Sequence, residues 1–188
     1  AWNTALAWIC GNVCIWKPSE KTPLCGIACQ NIMARVLEKN NMPGAICCLI
    51  NGDYSVGEWL TKDKRVALIS ATGSTRMGRI VGAEVAKRFG KSILELGGNN
   101  ALIISPNADI NISVVGAVFG AVGTAGQRCT TTRRLIVHES IYDSVKEKLI
   151  NAYKQIKIGD PLDESNHMGP LIDKDAVNMY LEAITNVK

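Results

Sequence analysis

Arg65-Val66-Ala67-Leu68-Ile69-Ser70-Ala71-Thr72-Gly73-Ser74-Thr75-Arg76-Met77-Gly78 passes from an apolar run through a glycine into a Ser-Thr pair. A short apolar run bounded by turn residues reads as a strand buried on both faces. Glycine followed by Ser and Thr is a helix start, because a hydroxyl there can accept from the first free N–H groups. The stretch therefore predicts a strand over 65–70 and a helix that opens at 73–78 and runs to Phe89. A second strand follows over 91–96. Strand, helix and strand in this order make a parallel pair joined by a crossover.

The same alternation extends upstream. Asn12 to Lys17 is a short apolar strand ending in a cation, and the segment from Pro18 to Pro23 turns the chain into a helix that continues to Glu38. Pro43-Gly44 breaks the chain, Ala45 to Ile50 is a fully apolar strand, and a helix covers 56–62. The order β-α-β-α-β-α-β predicts a doubly wound parallel sheet in the α/β class.

After Gly98 the pattern starts over. A strand is expected over 100–104, a helix of small residues over 110–122 behind the Asp109 cap, and a strand over 134–138. Helices over 141–156 and 174–187 flank the loop Gly159-Asp160-Pro161. The restart places a domain boundary near Leu96 to Gly98, giving domains 1–96 and 97–188.

The 188 residues suffice for one sizeable core or two small ones. With 47% hydrophobic and 20% charged residues, the composition is that of a soluble globular protein. A net charge of +4, with its cations scattered, does not suit a nucleic-acid partner. No apolar run approaches the length of a membrane span, so neither membrane nor nucleic acid is expected as a partner. The seven cysteines are an odd number spread through apolar stretches and read as buried thiols rather than a disulfide framework. The only histidines are His138 and His167, so no metal site is expected. The start without Met, lacking the pattern of a signal peptide, and the end at Lys188 inside an apparent helix read as an excerpt of an intracellular protein.

Two residues carry chemistry. Gly123-Thr124-Ala125-Gly126-Gln127-Arg128-Cys129-Thr130-Thr131-Thr132-Arg133 sets Cys129 among small and hydroxyl residues, a reactive setting for a thiol rather than a packing one. Glu95 ends an apolar strand and is followed by Leu96-Gly97-Gly98. That position is expected to be partly desolvated, as suits a general base. A thiol nucleophile and a carboxylate base make a coherent pair, although either residue alone has an ordinary structural reading. Gly73, Ser74 and Gly78 could present backbone N–H groups to a phosphate or could form a plain helix cap. Lys17 and Glu20 stand where open α/β sheets bind ligands, or form a solvated surface pair.

Glu95-Leu96-Gly97-Gly98-Asn99-Asn100, Gly126-Gln127-Arg128-Cys129 and Gly73-Ser74-Thr75-Arg76-Met77-Gly78 occur in the order and spacing of the aldehyde dehydrogenases, and the chain resembles the middle of such an enzyme. Gly97 to Ala101 and Gly123 to Thr131 are most similar to the antiquitin-like branch, the α-aminoadipic semialdehyde dehydrogenases. The resemblance implies part of a Rossmann-like cofactor domain followed by part of an α/β catalytic domain. It implies NAD-dependent oxidation of an aldehyde, such as a semialdehyde, to a carboxylic acid. Cys129 would form the thiohemiacetal and thioester, and Glu95 would activate the hydrolytic water.

By the same resemblance Lys17, Glu20, Gly57, Gly73, Ser74, Gly78 and Leu96 contact NAD, and Thr130 lines the substrate side. Glu20 would accept from a ribose 2′-OH and oppose a 2′-phosphate, favouring NAD over NADP. Asn3 follows Trp2, as an oxyanion asparagine does in many members, but stands too near Lys17 and is read as structural. A small aldehyde substrate, a homotetrameric parent, and a cytoplasmic location, or a mitochondrial one given a transit peptide upstream, complete what the resemblance implies. Two other readings fit the same residues: a non-catalytic NAD-binding fragment, and an esterase or acyl transferase that uses the Cys129 thioester without hydride transfer.

Overall fold

A computed structural model describes residues 2–187; Ala1 and Lys188, the outer ends of the two expected domains, lie outside the described residues. The chain divides after Leu96 into two compact units.

The first unit begins with a helix that the sequence reading missed, α1 (Trp2–Ile9). Its Trp8 indole N–H donates to the carbonyl of Ile46 at 3.2 Å, and Asn3 Nδ2 donates to Ser70 Oγ at 2.8 Å. Strand β1 (Cys14–Trp16) leads through Pro18 to α2 (Pro23–Lys39), which opens on proline at its first turn. Gly26 is the buried residue of α2, and a Cβ there would stand 3.0 Å from the Pro18 ring and 3.6 Å from Leu49. The glycine lets the helix lie close on its strands.

A 3₁₀ turn (Gly44–Ile46) precedes β2 (Cys47–Leu49), which pairs in parallel with β1. Helix α3 (Tyr54–Lys62) is capped by Asp53, whose side chain accepts from the Ser55 N–H. Then come β3 (Leu68–Thr72), α4 (Thr75–Lys87) and β4 (Lys91–Glu95), with β3 and β4 parallel. Arg88, just past α4, donates from Nε to the carbonyl of Thr61 in α3 at 2.7 Å and so ties the two helices together.

In the second unit, β5 (Asn100–Ile104), α5 (Ile110–Val122) and β6 (Thr132–Val137) form a third parallel crossover unit. Asp109 caps α5 by accepting from the N–H groups of Asn111 and Ile112. Ile104, Val114 and Ala117 are buried with Val145 of α6 (Tyr142–Lys154), the core of this unit. The chain ends in α7 (Lys174–Val187).

Three expectations need correction. The strands form three separate parallel pairs, β1-β2, β3-β4 and β5-β6, rather than one continuous doubly wound sheet over the first unit. β1 and β2 are only three residues long: the strand expected over 45–50 gives its first two residues to the 3₁₀ turn, and that expected over 12–17 pairs only over Cys14–Trp16. The strand expected over 65–70 starts three residues later and ends two later, in register with β4 from Leu68↔Lys91 to Thr72↔Glu95.

The cysteines are also not a buried set. Among the described residues only Cys47 is buried, while Cys10, Cys25, Cys29 and Cys129 are exposed. Gly26 rather than Cys25 or Cys29 turns toward the strand pair from α2. Burial pushes the Cys47 and Cys14 thiols up, away from thiolate character.

Gly78 makes a packing prediction. It is buried in the first turns of α4, and a Cβ there would stand 2.5 Å from both methyl carbons of Leu96. Gly78→Val should destabilise the protein by about 2 kcal/mol, the scale of overpacking a filled site. A thermal unfolding midpoint equal to wild type would show that Leu96 moves aside without cost.

Candidate active site

In the first unit Lys17, Glu20, Gly73, Ser74 and Leu96 follow the ends of strands, whereas Gly57 and Gly78 lie inside helices. Lys17 follows β1 directly, and its Nζ lies 3.1 Å from Glu20 Oε2. The Lys17 side chain is 15% exposed and that of Glu20 53%, so the carboxylate is the outward partner. A backbone N–H, with the Lys17 ammonium next, holds the Glu20 carboxyl below its usual range, so Glu20 is ionised at neutral pH.

Gly57 lies inside α3, and no atom comes within 4 Å of where a Cβ would be. The helix backbone is bare there. Ser74 is the N-cap of α4 and accepts from the Met77 N–H at 3.1 Å. The N–H of Gly73 is already taken by the carbonyl of Glu95 at 3.0 Å. That bond joins the turn after β3 to the end of β4, and with the Met77 N–H held by Ser74 it leaves the Thr75 and Arg76 N–H groups as the open donors of the first helical turn.

Gly78 does not face outward with them. It is packed under the Leu96 side chain, so its role here is to let α4 approach the end of β4 rather than to touch a phosphate. Leu96 covers that glycine. Glu95 is exposed rather than partly desolvated, the last residue of β4, and its side chain has no hydrogen-bond partner among the described residues.

In the second unit Cys129 sits in a tight turn. Thr131 donates its N–H to the carbonyl of Arg128 at 3.1 Å, and Thr131 Oγ1 accepts from the Arg128 N–H at 3.1 Å. Cys129 and Thr130 are the central residues of this turn, and both are exposed. The turn's own bonds leave the N–H groups of Cys129 and Thr130 outside them.

The approach to the turn is strained. Thr124, Ala125 and Gly126 have φ of 52°, 53° and 71°, three successive left-handed residues of which two carry a Cβ. Gln127 anchors that bend, donating to the Thr124 carbonyl at 3.1 Å and accepting from the Ile172 N–H at 2.9 Å.

The residue that sequence reasoning passed over is Asn100. Its Nδ2 donates to the carbonyl of Cys129 at 2.6 Å and to that of Thr131 at 3.1 Å. The sequence carried the signal, because Asn100 closes the motif Gly97-Gly98-Asn99-Asn100, but nothing in the motif shows which carbonyls it reaches. Among the described residues there is no group of three or more His, Cys, Asp or Glu side chains placed to hold a metal ion. No helix among them is long and apolar enough to cross a membrane.

Residues 1–188 match the profile of the aldehyde dehydrogenase family. The α-aminoadipic semialdehyde dehydrogenase of Bos taurus is 52% identical over 187 residues, covering 100% of this chain and 35% of that protein. Aldehyde dehydrogenase family 7 member B4 of Arabidopsis thaliana is 48% identical, with 100% of this chain and 37% of that protein covered. The chain thus spans about a third of the length of these relatives.

Among solved structures, the glyceraldehyde-3-phosphate dehydrogenase of Methanocaldococcus jannaschii complexed with NADP superposes with a TM-score of 0.87 at 34% identity, over 93% of this chain and 38% of that one. The betaine aldehyde dehydrogenase of Staphylococcus aureus in complex with NAD+ gives 0.82 at 34% identity, over 90% and 34%. The α/β fold of the chain is that of the aldehyde dehydrogenases.

Proposed function

The chain belongs to the aldehyde dehydrogenase family, and from that premise we propose that it carries the nucleophile, the general base and part of the dinucleotide site of an enzyme oxidising an aldehyde to a carboxylic acid. The observation that carries the proposal is the Cys129 turn: a free, exposed thiol at the centre of a turn whose neighbouring N–H groups are left open.

The Cys129 thiolate adds to the aldehyde carbonyl and forms a C–S bond. The developing oxyanion accepts from the open N–H of Cys129, and one such donor is worth about 3 kcal/mol in comparable sites. The thiohemiacetal carbon then loses a hydride, for which NAD supplies the acceptor, and becomes a thioester. Water that has given its proton to Glu95 attacks that carbonyl, the C–S bond breaks, and the acid leaves with the Cys129 thiolate restored. Residues 1–96 are thus read as a partial NAD-binding domain and residues 97–188 as a partial catalytic domain, with Thr130 on the substrate side.

The first unit fits a dinucleotide. Glu20 offers an ionised acceptor for a ribose hydroxyl, Gly57 a bare stretch of helix for a flat ring, and Ser74 with the first turn of α4 a pyrophosphate seat. Similarity to the Bos taurus protein favours a semialdehyde as substrate. A test independent of turnover rates is to quench the protein carrying this chain with aldehyde and NAD present. The peptide containing Cys129 should gain the mass of the acyl group, and dependence of that gain on NAD separates a dehydrogenase from an acyl transferase. Absence of the adduct under all quench conditions would count against the covalent route.

Two predictions follow the cofactor residues. Glu20→Gln removes the charge that opposes a 2′-phosphate and should shift the ratio of kcat/KM for NAD over NADP toward NADP, by about 1 to 3 kcal/mol for a hydrogen bond to a charged group. An unchanged ratio would remove Glu20 from the ribose site. Gly57→Ala meets no neighbouring atom and should stabilise α3 by about 1 kcal/mol. If a ring of the dinucleotide lies against the bare backbone, the same variant binds NAD more weakly, so titration and thermal unfolding should move in opposite directions.

A further inference from the structure

We propose that Asn100 is a positioning residue for the nucleophile: its amide, clasping the carbonyls of Cys129 and Thr131, sets the direction in which the Cys129 turn presents its thiol and N–H. The proposal rests on the reading of Cys129 as nucleophile, but the clasp itself is observed within one unit and from both sides. Asn100 Nδ2 reaches the Cys129 carbonyl at 2.6 Å and the Thr131 carbonyl at 3.1 Å. In return, Arg133 Nη1 donates to the Gly98 carbonyl at 2.9 Å, and Arg134 Nη2 donates to the Asn99 carbonyl at 2.7 Å. The loop before β5 and the segment before and into β6 therefore hold each other by backbone carbonyls on each side.

Strand register explains how this arises. Asn100 pairs with Thr132 and Ala101 with Arg134, so Arg133 is the extra residue of a bulge. A bulge turns its side chain out of the regular alternation and is common beside functional sites. Here it frees Arg133 to reach Gly98, with a weaker second contact from Nη2 to the Arg128 carbonyl at 3.4 Å.

On the other side of the turn the chain is bent through three left-handed residues. A turn strained at its entry relaxes unless its exit is fixed, and the amide of Asn100 fixes it. Two donors on one nitrogen, aimed at carbonyls on either side of Thr130, define an orientation that one bond would leave free to rotate.

The experiment compares Asn100→Asp, Asn100→Ala and Asn100→Ser in the intact protein that carries this chain. Aspartate has the shape of asparagine but presents a carboxylate to the two carbonyls, with no N–H to give. Serine keeps one short donor. Two readouts are taken: amide hydrogen exchange of the peptide containing Cys129 to Thr131, and the rate constant of the first-turnover NADH burst with NAD affinity measured alongside. In Asn100→Asp the exchange should rise about tenfold in that peptide, with the α4 peptide unchanged. The burst should slow by about 30- to 100-fold at constant NAD affinity, as displacements of ~1 Å cost. Serine should recover part of both, and it decides the question if the aspartate or alanine variant does not fold.

Wild-type exchange in a folded variant overturns the clasp. Faster exchange with a wild-type burst overturns the positioning role. Should Cys129→Ala still make NADH, the nucleophile reading fails on its own, while the exchange data still decide the clasp.

Discussion

Cys129→Ala is expected to reduce NADH formation from aldehyde by a factor on the order of 10⁴ or more, the scale on which enzymes lose activity when a covalent nucleophile is deleted. That loss corresponds to about 5.5 kcal/mol of transition-state stabilisation. The residue has no structural work that would confound the result. Cys129 is exposed, its thiol makes no hydrogen bond among the described residues, and its turn is held by the backbone of Arg128, the hydroxyl of Thr131 and the amide of Asn100, all of which the variant keeps. The thermal midpoint should therefore stay near that of wild type. NAD binding should also persist, because the groups assigned to it, Lys17, Glu20 and Ser74, belong to the first unit. Of the other six cysteines, Cys14 and Cys47 have thiols pushed up by burial, so neither offers a substitute nucleophile. NADH production within tenfold of wild type would mean that hydride leaves an aldehyde hydrate without a thioester, and the mechanism would have to be rebuilt.

Helix ends were easier to read in the chain than strand ends, for a physical reason. A cap is a local chemical event: Asp109 accepts from its own second and third successors, and α5 begins where the sequence predicts and ends at Val122 before Gly123. A strand end is decided by its partner. The apolar run from Arg65 shows no mark at Leu68, and only the register with Lys91 places the start of β3 there. Helix α1 was missed because it has neither a proline nor a hydroxyl start, and it is joined to the rest of its unit by the long-range bonds of Trp8 and Asn3.

The site shows the same division. Glu95 and Cys129, the residues read as carrying chemistry, stand out by the glycines around them, which are written in the chain. What surrounds them was not legible there. Gly78 belongs to packing because Leu96 falls on it, and Asn100 gains its role because a bulge at Arg133 brings two carbonyls to its amide. Both facts depend on residues distant in sequence.

Glu95→Gln should leave the first turnover intact and stop the second. Glutamine keeps the size of the side chain, and the backbone bond from the Gly73 N–H to the carbonyl of residue 95 does not involve the carboxylate, so the end of β4 and the turn before α4 should hold. What is lost is a base. A positioned general base contributes typically 10²- to 10⁴-fold, so hydrolysis of the thioester should slow by that factor, or about 3 to 5.5 kcal/mol. Addition of Cys129 and loss of hydride do not need water, and the trace should show a burst of NADH of about one per Cys129 followed by a nearly flat line. The exposure of Glu95 at the strand end is consistent with a group that must meet solvent, since its proton has to return to water after every cycle. Hydroxylamine, which attacks thioesters without help from a base, should restore turnover in Glu95→Gln and release the acyl group as the hydroxamate. A steady rate equal to wild type would sink the assignment of Glu95, and a variant with no burst at all would move the residue from thioester hydrolysis to the activation of the thiol.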